Sequence, residues 1–107
     1  MPTPYDTPQD VLDAIGEPVL NRVDARNVRK RLGGGPHDSV VEFTLGESDQ
    51  HLVVCRDNLW PNQSFVTGAR RDEHGTVTSL RGAAVYFTDL DQIPGAIAQV
   101  AERSGQW

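Results

Sequence analysis

Three histidines and one cysteine, His37, His51, His74 and Cys55, are the first candidates for chemistry in this chain. His51 and Cys55 lie four positions apart on a stretch that alternates as a strand, which separates them by ~13 Å at ~3.3 Å per residue, too far to share one ion. His37 follows a glycine run and His74 falls in a turn, so both are expected as solvated loop residues and no metal is expected. Cys55, inside a strand, is expected as a buried, inert thiol. The run Gly33, Gly34, Gly35 is not followed by Lys and Ser or Thr, and it closes a predicted helix where a phosphate loop would open one. No serine stands in a Gly-x-Ser-x-Gly setting, and Asp89 and Asp91 are accounted for as helix caps. Asn62, Gln63 and Ser64 form a glycosylation sequon, a short match that carries little information. The expectation is a protein that is not an enzyme and needs no cofactor.

Cations offer a second kind of chemistry. Nine of the ten basic residues are arginine and Lys30 is the single lysine, a bias that a GC-rich bacterial genome produces without functional demand. Their positions carry more information. Arg22, Arg26, Arg29, Lys30 and Arg31 fall within ten positions, and Arg70 and Arg71 form a second group with Arg81 nearby. Single-stranded nucleic acid is held by cations along a track and by aromatic faces on which bases stack. Phe43, Phe65 and Phe87 sit in alternating strands and are expected in the core, which leaves Trp60, Tyr86 and Trp107 as exposed aromatics. The candidate nucleic-acid-binding set is therefore Arg70, Arg71, Arg81, Trp60 and Tyr86, with Arg22, Arg26, Arg29 and Lys30 in support.

The elements that must position these groups follow from periodicity. Thr7 as N-cap, Pro8 at the first helical position and Asp10 in the first turn predict a helix over residues 8–15, stopped by Gly16 and Pro18. A second helix is predicted from Val19 to Leu32, with Arg22, Arg26, Arg29 and Lys30 on one face and the glycine run as its stop. From Ser39 the period becomes two: Val41, Phe43 and Leu45 alternate with Val40, Glu42 and Thr44, and Gly46–Gln50 turns the chain into a strand over His51–Cys55. Ser64–Arg71 predicts the next strand, and Thr76–Phe87 either one strand bent at Arg81 and Gly82 or two strands. A closing helix has Asp91 as cap, Pro94 in its first turn, Ile93, Ile97 and Val100 on its apolar face, and Gly105 at its end. The fold class is α+β: an antiparallel sheet of four to five strands with two N-terminal helices and one C-terminal helix packed on it. Residues 1–36 form its helical segment and 37–107 its sheet and last helix.

Length and charge set the limits. The 107 residues, with a net charge of -5, fit one domain. A lone cysteine points to a reducing compartment, no apolar run reaches the ~20 residues that span a bilayer, and the first residues lack a signal peptide's pattern, so the expectation is a cytoplasmic protein.

The run DEHGTVTSLRGAAVYFTDLDQIPGAIAQV, residues 72–100, resembles the end of the positive cofactor four family of transcriptional coactivators. Gly75, Arg81, Gly82, Val85, Phe87 and the helix bearing Ile93, Ile97 and Val100 occupy corresponding places, and Whirly and Pur-type domains share the order of four strands and a helix. The lysine-rich segment before that glycine is represented here by Arg81 alone, and the two N-terminal helices are extra. The resemblance implies a transcription-associated protein that binds single-stranded DNA or RNA on a curved sheet, as a homodimer. Two other readings stand beside it. Residues 8–32 read as a helix-turn-helix with a wing from Val40 to Cys55 would bind duplex DNA. An acidic α+β domain without catalytic groups also suits a protein-interaction module, such as a toxin-neutralising immunity protein or inhibitor. Asp6, Asp10, Asp13, Glu17, Glu47 and Asp49 would then face the partner.

Overall fold

The computed structural model describes residues 5–33, 37–71, 73–74, 77–79 and 84–103. Helix α1 (Pro8–Ile15) opens on a reciprocal cap: the Asp10 N–H donates to Thr7 Oγ1 (3.2 Å) and the Thr7 N–H donates to Asp10 Oδ2 (2.8 Å). Gly16 ends it at φ 82, where its N–H still reaches the Leu12 carbonyl and its own left-handed backbone turns the chain into the short α2 (Glu17–Arg22). Six strands follow: β1 (Ala25–Leu32), β2 (Asp38–Leu45), β3 (Gln50–Asp57), β4 (Ser64–Arg71), β5 (Val77–Ser79) and β6 (Val85–Phe87); α3 (Ile93–Glu102) closes the chain. The sheet is an antiparallel meander in the order β1-β2-β3-β4-β5, with β6 pairing β4 farther along the edge that β5 occupies. Within Thr76–Phe87 the described residues hold these two short strands, and Arg81 and Gly82, the expected bend, lie outside the described residues.

One face of the sheet is covered. Val41 and Phe43 of β2, Leu52 and Val54 of β3, Val66 of β4 and Phe87 of β6 pack against Val11 and Ile15 of α1 and Ile93, Ala96, Ile97 and Val100 of α3. The strand residues come from every second position and those of α3 from helical spacing, so each element turns one apolar side inward. Each such side chain contributes roughly 1.5–3 kcal/mol on burial. A 3-10 turn over Leu90–Gln92, capped by Asp89, precedes α3, so Asp91 lies inside that turn and the N-cap of α3 is Gln92; α3 ends at Glu102, and Gly105 lies outside the described residues.

The helix predicted over Val19–Leu32 is not formed: helix stops at Arg22, and Ala25–Leu32 is the edge strand β1. Two residues inside the expected helix, Asp24 and Asn27, have φ of 52 and 56, the left-handed region that short polar side chains enter most readily. The glycine run accordingly links two strands. Gly33 donates to the Asp38 carbonyl (2.8 Å), and a Cβ there would lie 2.6 Å from that of Asp38, so the hairpin needs glycine at its first step. Loss of this helix also removes the recognition helix of the helix-turn-helix reading.

Candidate functional site

Antiparallel partners share a face, so the register of β1 decides where its cations point. Arg26 pairs with Thr44 and Arg29 with Glu42, leaving Asn27 and Val28 opposite the single residue Phe43, a β-bulge. Positions 26 and 29 are an odd distance apart and would fall on opposite faces of a regular strand. The bulge corrects the phase, so Arg26, Arg29 and Arg31 all stand on the face turned away from the helices, opposite Thr44, Glu42 and Val40. The Asn27 amide donates to Thr44 Oγ1 (3.2 Å) and the Thr44 hydroxyl donates to the Arg26 carbonyl (3.0 Å), which locks the kink. Lys30 sits on the helix side, where its Nζ donates to Gln9 Oε1 (2.6 Å).

The face these arginines border is open. Among the described residues no helix packs on it, yet Val40, Glu42, Thr44, His51, Val53, Thr67 and Ala69 are buried. Each lies on a strand flanked on both sides by others ~4.8 Å away. A shallow concavity of about 470 Å³ lies at its β1 end, lined among others by Arg29, Glu42, Thr44, Asp49 and His51. Sequence reasoning placed Glu42 and Thr44 on the outward alternation but missed that Glu42 is buried, at 7% exposure, 3.8 Å from Arg31 Nε.

The electrostatics of this edge are mixed. Arg26 Nε and Nη2 donate to the two carboxylate oxygens of Asp24 (3.3 and 3.1 Å), and Nη1 lies 3.5 Å from Glu47. The bonds to Asp24 hold the Arg26 pKa above its ordinary value. With Glu42 near Arg31 and Asp49 in the concavity, carboxylates equal or exceed the arginines around it. Arg29 has no ion pair among the described residues.

Farther across the open face, Cys55 is half-buried, and burial together with Asp38 and Asp57 pushes its thiol up to about 11. Phe65, expected in the core, instead lies half-buried on this face, edge-on to Tyr86 with ring centroids 6.3 Å apart. Tyr86 and Trp60 are exposed at 68% and 59%, as anticipated. Trp60 and its neighbour Leu59 sit on a turn in which both backbone N–H groups donate to Asp57 Oδ1 (2.9 and 3.0 Å).

The candidate set is therefore split. Arg22 is on α2; Arg26, Arg29 and Lys30 are on β1; Arg70 is exposed at the far end of β4, opposite Gln50; Arg71 contributes backbone pairing with Val77. Arg81 lies outside the described residues, as do Gly75, Gly82 and Trp107. His74 is exposed, 3.5 Å from Glu73, whereas His37 is half-buried with its ring against Tyr5 at 5.1 Å, not simply solvated. Among the acidic candidates, Asp6 is tied to Arg56 (3.0 Å), Asp10 to the α1 cap, Asp13 accepts from Gln9 (2.9 Å) and Glu47 pairs with Arg26. Among the described residues no helix is long and apolar enough to cross a membrane, and no group of three metal-ligating side chains is assembled. No family model, curated protein or solved structure matches this chain, so its surface is read from its own geometry.

Proposed function

We propose that this chain is a non-enzymatic protein-interaction module, working in a reducing compartment such as the bacterial cytoplasm, whose contact surface is the β1 edge with the exposed side chains it carries. The observation that carries the reading is β1 itself. It is eight residues long at the end of the sheet, exposed at every position after Ala25, and displays Val28 and Leu32 at 39% and 60% exposure among four cations. Exposed apolar groups interleaved with charge on a rigid strand suit a protein partner. A run of phosphates is favoured less, because Asp24 and Glu47 take up Arg26 and the cations beyond it, Arg29 to Arg31, span only three residues.

A second reading, binding of single-stranded DNA or RNA, draws on a different place. Trp60 and Tyr86 are exposed aromatics on which bases would stack, and Arg70 is an exposed cation on β4.

One experiment separates the two. A photo-crosslinking amino acid placed at Val28, with Thr78 on the opposite edge as control, is expected to trap a discrete protein adduct in the producing cells from Val28 alone. Fluorescence anisotropy with labelled single strands and duplexes at ~50 and ~200 mM salt is expected to show no salt-sensitive binding at micromolar protein. Salt-sensitive single-strand binding that disappears in Trp60→Ala and Tyr86→Ala would overturn the interaction reading in favour of the nucleic-acid one.

A further inference from the structure

The occupant of the β1 edge can be specified further, on the basis that the surface is a protein-interaction surface. We infer that it takes an extended, acidic segment of a partner protein, which adds to the sheet as a further strand beyond β1.

The backbone provides the first argument. β2 satisfies one side of β1, and among the described residues nothing pairs with the other side. An edge strand with free N–H and C=O groups is a template for strand addition. The bulge disturbs only the N-terminal half; from Arg29 to Leu32 the pairing with β2 is in continuous register, so this half presents a regular ladder to a newcomer.

The side chains provide the second. Among the described residues Arg29 has no ion pair, Lys30 meets the neutral Gln9, and Arg31 is half-exposed with one carboxylate 3.8 Å away. A strand laid antiparallel or parallel here meets Arg29 and Arg31 on the open face and Lys30 and Leu32 on the other. The matching segment therefore carries carboxylates at alternate positions on one face and an apolar side chain toward Leu32. The three cations span under ~10 Å of strand, a length that suits a few residues of peptide more than a run of phosphates.

Charge also disfavours a second copy paired through β1 in the central register. Two-fold pairing of β1 centred on Lys30 would set Lys30 against Lys30 and Arg29 against Arg31, and like charges directly opposite destabilise a ladder. The same cations that disfavour that pairing select an acidic partner.

The test uses the isotopically labelled full chain and three capped peptides as long as β1. One alternates glutamate and valine, one has lysine for glutamate, and one is the glutamate peptide with alternate backbone nitrogens methylated. The glutamate peptide is expected to shift and protect the amides of residues 29–32, the methylated and lysine peptides to bind at least tenfold more weakly, and Arg29→Glu to weaken the glutamate peptide by a similar factor. Equal binding of the methylated peptide, equal binding of the lysine peptide, shifts centred on Trp60 and Tyr86, or no shift at ~1 mM peptide would each overturn strand addition. If the Val28 crosslinker still traps a protein in that event, the interaction reading stands and only the mode proposed here falls.

Discussion

One edge of the sheet is an eight-residue strand, β1, interrupted only by the bulge at Asn27 and Val28. Among the described residues the other holds two three-residue strands, β5 and β6, both paired with β4. Very short strands are a common way of blunting an edge against pairing, and charge with a bulge is another. The difference between the two is selectivity. Very short strands offer any partner little ladder to pair with, whereas a charged, continuous strand discriminates against those of like charge.

The comparison is broken most severely from underneath. Phe43 lies opposite the bulge and is 1% exposed on the covered face, so Phe43→Ala is expected to cost about 3–5 kcal/mol in urea unfolding and to loosen β1 before β4. Next in size is the reactivity of Cys55, which lies on the row joining Arg31 to Tyr86. Burial raises its thiol from the ordinary 9.0 to about 11, so at pH 8 its alkylation should be about 100-fold slower than in the unfolded chain. The sign is that of a raised acid: the folded state keeps the proton that the unfolded chain gives up, so this contribution is complete below pH 9 and lost as pH rises to about 11.

Arg31→Met should cost about 1–3 kcal/mol, because Glu42 is left buried without its cation, and Glu42→Gln in the same chain should recover most of it. Absence of recovery would show that Arg31 acts through packing. Asn27→Val puts a β-branched residue at φ 56 and removes the bond to Thr44, an expected loss of about 1–2 kcal/mol in the urea midpoint. The smallest effect belongs to the opposite edge: Thr78→Glu on β5, an exposed position, should change stability by less than ~0.5 kcal/mol and leave binding at β1 untouched.

Much of this architecture is readable in the sequence because the signals are local. The cap at Thr7, the alternation through Val41, Phe43 and Leu45, and the spacing of Ile93, Ile97 and Val100 each act within one element and agree with its burial. β1 was misread for a reason that is also local. A bulge adds one residue to a period of two, so Arg26, Arg29 and Lys30 came to resemble a helical face. The clue against it was Asp24 and Asn27, residues that tolerate left-handed backbone, set inside the supposed helix. The buried Glu42 was not legible at all, since its burial depends on strands β1 and β3 on either side of it.

Arg56 ties together segments far apart in sequence. Its guanidinium donates to Asp6 Oδ2 (3.0 Å), to Ser64 Oγ (3.3 Å) and to the Thr88 carbonyl, while Asp6 and Asn58 exchange two further bonds of 2.9 Å. The meander from β1 to β4 is assembled from neighbours in sequence and asks little in loop-closure entropy. The Arg56 clasp, by contrast, gathers segments 32 and 50 residues away. Contacts of that span are expected to close late in folding, after the hairpins exist.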